Sequence, residues 1–495
     1  MRIAVLAHSA VKDDARISKE ARSLRAAGHE VVIHGISPDR ERHLNRLPDS
    51  DVPVLLEPRV SRLAQWRKRA LLLPYAVLGI ALMAYGLALV TAHPIIVAGH
   101  DLGIATAILW WGIGVACAYR ARHVLARIAQ HTDDFVLARW RRLFHGEAGL
   151  DADTGLALGA GYHRIGDALL RSLARRPAPD AIHIHDHVAL VLAPRLAKIY
   201  GVPIVWDAHE IYQDLAGSDA ARARENAAII AACHGHIAHF ITINESIARF
   251  YREHYPKLPA AVVVMNATLP EPVPVYDGRL HEAAGLPPTQ KILLFQGRFS
   301  AHRGLAHLVE AAAALRDDWT LVMMGWGGLE AELRRVADRH LRAGAPATVF
   351  LPGVPQEQLQ QWSAGASLGV VPYENTSLNH LYCTPNKLWE YPGAGVPVLC
   401  TDLPEMAAML AESGYGLLLP REFSAADIAR IVNALDETSL AVLRARCAPF
   451  IASNNWSRWE ASLLEIYRRI EAERLPEAAS PADGRAPVTE RAANQ

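Results

Sequence analysis

Arg298 and Arg303 flank a turn that leads into a helical stretch beginning near Gly304. Two guanidiniums beside a helix N-terminus suit a concentrated anion such as a diphosphate, whose charge they can neutralise as a bond to it breaks. Two solvated loop arginines are the equal alternative. Gly325-Trp326-Gly327-Gly328 either lets backbone approach a ligand closely or makes a tight strand-to-helix turn, and it matches neither the P-loop nor the dinucleotide pattern. In the segment Thr384 to Val398, Pro385 suits the first turn of a helix, so Asn386 and Glu390 share one face. A carboxylate placed there can accept from both hydroxyls of a ribose; a solvated Glu on an amphipathic helix is the plainer reading. His209, in the loop Asp207-Ala208-His209-Glu210, is either a ligand contact or a satisfied structural histidine, and the polar residues around it favour a site.

Each of these segments follows a short apolar run, so each needs a strand to position it. Residues 2–7 and 30–36 read as strands around a helix from Ile17 to Ala27 that stops at Gly28. Residues 37–69 are polar and basic with no clear period. Alternation resumes with strands at 181–185, 203–206, 238–243 and 261–265, and a proline-rich linker follows at Pro270, Pro272 and Pro274. The second half repeats the pattern, with strands at 291–295, 320–324, 348–351, 368–371 and 397–400 separated by helices. Such alternation predicts right-handed crossovers and parallel sheets, which bind ligands at the C-terminal ends of their strands.

The 495 residues carry 51 basic and 51 acidic side chains, which argues against a nucleic-acid binder working through bulk charge. Cys117, Cys233, Cys383, Cys400 and Cys447 are scattered without metal-ligand spacing, so reduced thiols and no metal site are expected. The N-terminus has no signal-peptide layout. Leu71–Ala92 and Leu102–Tyr119 contain no charged residue, and a bilayer core needs about 20 apolar residues per helix. Arg62, Arg67, Lys68 and Arg69 precede the pair and Arg120, Arg122 and Arg127 follow it, which fits a membrane hairpin with both ends cytoplasmic. Shallow insertion or a buried apolar hairpin are the alternatives, and 95–102 can instead be a strand and its turn.

Together the motifs resemble the family 4 retaining glycosyltransferases of the GT-B fold. The resemblance is carried by Asp14-x-Arg16 with Glu20, Gly28-His29-Glu30-Val31, His185-Asp186, Asp207-x-His209-Glu210, Gly297-Arg298 with Arg303-Gly304, Pro385-Asn386-Lys387-Leu388-Trp389-Glu390-Tyr391, and Trp456-Ser457-Arg458-Trp459-Glu460. It implies an α/β protein of two Rossmann-like domains facing a cleft, with the apolar helical hairpin inserted in the first. The expected divisions are 1–60 and 179–270 for the N-terminal acceptor domain, 61–178 for the insert, 280–450 for the donor domain, 451–474 for a helix returning to the N-terminal domain, and 475–495 for a disordered tail.

The resemblance also assigns roles. Arg298 and Arg303 hold the donor diphosphate, Glu390 the ribose, and Gly297, Gly325, Asn386 and Lys387 line the donor site. His209 sits by the reacting sugar; Asp14, Arg16, Asp186 and Glu210 shape the acceptor side. The implied activity is metal-independent, retaining hexosyl transfer from a nucleoside-diphosphate sugar, with no other cofactor. A membrane-embedded hairpin, by its location alone, points to a lipid-linked or surface-glycan precursor at the cytoplasmic side of the membrane as acceptor, as in polysaccharide biosynthesis. Two positions depart from the family: Tyr382 stands where a further Glu is frequent, and Ala7-His8-Ser9-Ala10 replaces a glycine-rich loop. A sugar-nucleotide 2-epimerase and a non-catalytic membrane-anchored scaffold are the competing readings.

Overall fold

The computed structural model describes residues 1–11, 14–37, 42–48, 50–58, 96–97, 100–101, 151, 153–344 and 348–474. Its strands are β1 (Arg2–Leu6), β2 (Glu30–Ser37), β3 (His43–Arg46), β4 (Pro53–Pro58), β5 (Ile96–Val97), β6 (His100–Asp101), β7 (Ala181–His185), β8 (Ile204–Ala208), β9 (His239–Thr242), β10 (Ala261–Val263), β11 (Lys291–Arg298), β12 (Trp319–Trp326), β13 (Val349–Pro352), β14 (Leu368–Val371), β15 (Val398–Thr401) and β16 (Gly416–Leu419). The first sheet has the order β10-β9-β8-β7-β1-β2-β4-β3 and the second β13-β12-β11-β14-β15-β16. All their pairings are parallel except β3 with β4.

Parallel strands covered by helices on both faces must be apolar along their whole length. β7 and β8 are buried at every position. The exceptions to apolarity within them are His183, His185 and Asp207, all fully buried. A buried polar group in a core strand is the informative kind of exception, and these three build part of the site.

Strand order reverses at two places, between β1 and β7 and between β11 and β14. At such points the flanking crossovers run to opposite faces and leave a crevice beyond the strand ends. Ala7 and His8 follow β1, and Asp186 follows β7. Gly297-Arg298 end β11, and Pro372-Tyr373 follow β14.

Polar links join the two halves around these crevices. The amide of Ile211 donates to Asn379 Oδ1 at 2.9 Å, Leu378 N to Asp214 Oδ2 at 2.9 Å, and Asn244 Nδ2 to the Tyr382 carbonyl at 2.7 Å. The last helix, Trp456–Arg474, leaves the second half and lies along the first: Trp456 Nε1 donates to Ser23 Oγ at 2.9 Å, and Tyr467 Oη lies 2.8 Å from His183 Nδ1.

Two expectations need correction. Residues 37–69, read as lacking a period, contain β3 and β4. β3 is an edge strand, mostly exposed, so nothing forces its residues to alternate. β4 carries proline at both ends, which reads as loop punctuation. No helix of the described residues is long and apolar enough to cross a membrane. The hairpin expected at 71–92 and 102–119 lies outside the described residues, as does the tail 475–495. Between the two apolar stretches, β5 pairs antiparallel with β6, so 100–101 is strand where a turn is expected.

Candidate active site

Asp14 Oδ1 accepts from the amides of Arg16 and Ile17, both at 3.1 Å, and so caps the helix Ala15–Ala26. That cap fixes the first turn and sends Arg16 inward. Arg16 Nε and Nη2 donate to the two oxygens of Asp207 at 2.7 and 2.9 Å, and Nη1 to the Val264 carbonyl at 2.7 Å. Arg16 is only 3% exposed. Arg16 therefore works from behind the cleft through Asp207, while Asp14 gives one carboxylate oxygen to the cap.

Glu20, one turn on, lies 3.0 Å from Arg16 Nε. Its Oε2 is 3.6 Å from His183 Nε2 and 3.7 Å from His185 Nε2. Glu20, His183, His185 and Asp207 thus bring four ligand-type atoms within 4.8 Å of one another, a grouping that no sequence spacing revealed. Arg16 stands among them and already balances the carboxylates, so a dication placed there meets like-charge repulsion. Burial and the neighbouring Asp207 push the Glu20 carboxyl up to about 7. Burial works against the charge on Asp207 too, yet Arg16 and His209 hold that carboxyl well below its usual range.

His209 is positioned by both strand ends. Its Nε2 is 2.8 Å from Asp207 Oδ2 and its Nδ1 3.6 Å from Asp186 Oδ1. Asp186 has φ +61°, the left-handed region that a non-glycine residue occupies only when its surroundings hold it there. Here the Tyr212 hydroxyl donates to Asp186 Oδ1 at 2.7 Å, and His8 Nδ1 lies 3.4 Å from Oδ2. Burial opposes a charge on His209, but Asp207, with help from Asp186, raises the imidazole to about 9. With both ring nitrogens facing carboxylates, His209 is a fixed cation at neutral pH and not a free base. A raised histidine favours the folded state below its unfolded value near 6.5, and that contribution is lost as pH climbs through about 9. Asp186→Asn is expected to lower the His209 pKa, read from the imidazole Cε1–H resonance in an NMR titration. An unmoved midpoint contradicts the placement. Glu210, exposed at the cleft mouth, lies within electrostatic reach of Arg303 on the other side.

Across the cleft, Tyr391 pins the helix Lys387–Gly393 to the end of β11. Its hydroxyl donates to the Leu294 carbonyl at 2.8 Å and accepts from the Gln296 amide at 3.1 Å. This sets Glu390, whose Oε2 accepts from Gln296 Nε2 at 2.9 Å and whose Oε1 accepts from Gln356 Nε2 at 3.4 Å. Lys387, 8% exposed, places its ammonium 5.6 Å from the Phe295 ring centre and 5.9 Å from that of Tyr373. Arg303 reaches the same Tyr373 ring at 5.2 Å. Gly304 makes this approach possible: its φ is +64°, and a Cβ there would lie 2.1 Å from the Pro372 carbonyl oxygen.

The fold therefore gathers Arg303 and Lys387 around Tyr373, with Gly297 beside the Lys387 ammonium and Glu390 on the same helix as Lys387. Arg298 ends the same strand and is exposed. None of the three cations makes an ion pair with a described residue, although Lys387 is buried. Asn386 turns to the linker, accepting from Asn266 Nδ2 at 2.8 Å. Gly325 serves strand packing, since a Cβ there would fall 1.8 Å from the Gly297 carbonyl oxygen. Tyr382 packs against the core of the first half.

Sequence reasoning missed Gln296 and Gln356 on this side, and marked Tyr373 only as part of the segment Pro372-Tyr373-Glu374 after a strand, without a role. It missed Lys19 as well, whose ammonium donates to the Ala267 carbonyl in the linker and lies 4.9 Å over Trp456. Burial and Arg16 push Lys19 down to about 7, against the pull of Glu20 and of Glu390 from across the cleft.

Residues 290–437 match the family model described as glycosyl transferases group 1, and residues 153–267 match the glycosyl transferase 4-like domain. The two segments make up just over half of the chain. A D-inositol 3-phosphate glycosyltransferase from Pseudarthrobacter chlorophenolicus is 27% identical over 309 residues, covering 58% of this chain and 70% of the relative. Among solved structures, sucrose-phosphate synthase from Thermosynechococcus elongatus superposes with a TM-score of 0.63 at 14% identity, covering 96% of this chain and all of that one. HepE of Anabaena in complex with UDP-glucose gives 0.59 at 12% identity, covering 95% and 100%. At such identities the structural likeness is one of fold, and it agrees with the two facing parallel sheets. With the matched family models and the paired crevices together, the chain belongs to the family 4 glycosyltransferases of GT-B architecture and is a glycosyltransferase.

Proposed function

We propose that the chain takes its sugar from a nucleoside-diphosphate donor held at the ends of β11 and β14. The sugar passes, with its anomeric configuration retained, to an acceptor lodged against β1, β7 and β8. The observation that carries this reading is the set of cations around Tyr373. Arg303 and Lys387 lie over one ring and make no ion pair among the described residues, and Arg298 ends the adjacent strand. Burying an ammonium without a counter-charge is costly, and a diphosphate is the anion this arrangement suits. Glu390, one turn beyond Lys387 and oriented by two glutamines, is placed to accept from ribose hydroxyls. That HepE is solved with UDP-glucose on the same fold supports a donor of this class.

As the bond between the anomeric carbon and the diphosphate oxygen breaks, its electron pair stays on that oxygen, the acceptor hydroxyl oxygen bonds to the anomeric carbon, and the hydroxyl proton passes to the departing diphosphate. Arg298, Arg303 and Lys387 stabilise the charge gathering there, so the chemistry needs no metal ion. His209, bonded to Asp207 through Nε2 with Asp186 3.6 Å from Nδ1, contributes positive charge from the facing side. Contacts between the halves orient the two substrates and limit the entry of water.

The finer reading places the acceptor at a membrane, as a lipid-linked or surface-glycan precursor at the cytoplasmic face. It rests on the uncharged stretches 71–92 and 102–119 and the basic residues on either side of them.

The test is donor consumption across a panel of nucleotide sugars in excess EDTA, by wild type and Glu390→Ala. Turnover should persist in EDTA. The variant should raise the donor KM about ten- to hundredfold, the worth of hydrogen bonds to a charged group. Turnover abolished by EDTA, or an unchanged KM in the variant, overturns the proposal.

A further inference from the structure

Resting on the donor-site reading above, we propose that Trp326 is the platform on which the donor's nucleobase stacks. Trp326 ends β12 directly beside Arg298 in the strand register. It is 60% exposed, and among the described residues no other aromatic side chain is counted with the exposed large hydrophobics. Singly exposed side chains are common on protein surfaces, but this indole stands beside Arg298 at the edge of the crevice, where its free face can take a flat partner.

The ring is not loose. A Cβ on Gly353 would fall 2.4 and 2.6 Å from its Cε3 and Cζ3 atoms, so the indole rests directly on bare backbone just after β13. The same turn runs on to Gln356, whose side chain reaches Glu390 Oε1 at 3.4 Å. Three residue steps separate Gly353 from Gln356, which span at most about 10 Å. One short turn therefore carries both the seat of the indole and a residue that holds the ribose-binding carboxylate. Arg298 lies alongside, where the diphosphate is expected. Base, ribose and diphosphate each meet a suitable group in chemical order: an aromatic face, a carboxylate and a set of cations. Stacking on an aromatic ring tolerates any base, because every base has a π-face. Trp326 thus supplies affinity for a nucleoside without choosing between bases.

The test is calorimetric titration of UDP, GDP, ADP, CDP and inorganic pyrophosphate into the full chain. Trp326→Ala should weaken the tightest nucleoside diphosphate about ten- to hundredfold, while pyrophosphate binding and the thermal midpoint stay as in wild type. Trp326→Phe keeps a ring and should stay within about threefold. Gly353→Ala displaces the indole, so it should weaken the nucleotide in the wild-type background and have no further effect on Trp326→Ala. If Trp326→Ala binds nucleotide as wild type does while Glu390→Ala does not, the platform is wrong and the donor site stands. Equal losses for nucleotide and pyrophosphate also overturn the platform. If Glu390→Ala and Trp326→Ala both bind like wild type, the donor-site reading itself falls.

Discussion

Replacing Arg16 with methionine is expected to cost the fold about 3–5 kcal/mol, the penalty for removing one partner of a buried ion pair. Asp207 is fully buried and Glu20 nearly so, and Arg16 is in contact with both. Without it, two carboxylates share a dry pocket, and at least one must take up a proton to remain there. For a domain of this size the loss corresponds to a fall in Tm of roughly 10 °C. Because the variant must protonate a carboxylate, its deficit should shrink as the pH is lowered, the reverse of ordinary acid denaturation. Arg16→Lys restores a charge but not the two-pronged contact with Asp207, so it should recover only part of the loss. Thermal unfolding of the three proteins between pH 5 and 8 checks this. A methionine variant that melts with wild type at every pH contradicts the role given to Arg16.

That network was hidden in the sequence for a definite reason. It joins one helix near residue 16 to strands near residues 183 and 207, so no spacing along the chain announces it. The short motifs containing Arg16, His185, Asp207 and His209 were visible, but not that Asp207 is the point where they meet. Asp14 and Arg16 were assigned to the acceptor side by resemblance alone; in the structure one caps a helix and the other is a buried strut. The alternation of strands and helices was legible because interior parallel strands must be apolar throughout, as in Leu293–Phe295 and Val322–Met324. Edge strands answer to no such requirement, which is why β3 and β16 did not stand out, while β4, paired on both sides, was disguised by a proline at each end. On the donor side, the dipeptide Gly297-Arg298 and the helix around Glu390 pointed to one place only by resemblance. Tyr373, the ring that brings Arg303 and Lys387 together, had no signal beyond its position after a strand.

Arg303→Ala and Lys387→Ala should each lower kcat about 10²–10³-fold, the cost of losing one preorganised group facing charge that develops in the transition state. The double variant should fall short of the product of the two, because the side chains act on one leaving group. Arg303→Lys keeps the charge at a position over the Tyr373 ring and should retain most of the rate. Arg303 and Lys387 have no carboxylate partner among the described residues, so their removal leaves no buried acid unpaired, and Tm should barely change. A steady-state assay of nucleoside diphosphate release measures all four proteins. A rate loss that tracks a loss of folded protein would assign these side chains to stability.

In the proposed donor site, cations without ion pairs among the described residues stand beside the Glu390 carboxylate at the second switch point and together hold a nucleoside diphosphate. Calorimetry with a panel of nucleoside diphosphates tests it most directly, comparing wild type with the Arg303→Met, Lys387→Met double variant. At least one nucleotide should bind wild type without added metal, and the double variant should bind it at least about 100-fold more weakly. Equal affinity for the two proteins would contradict the account.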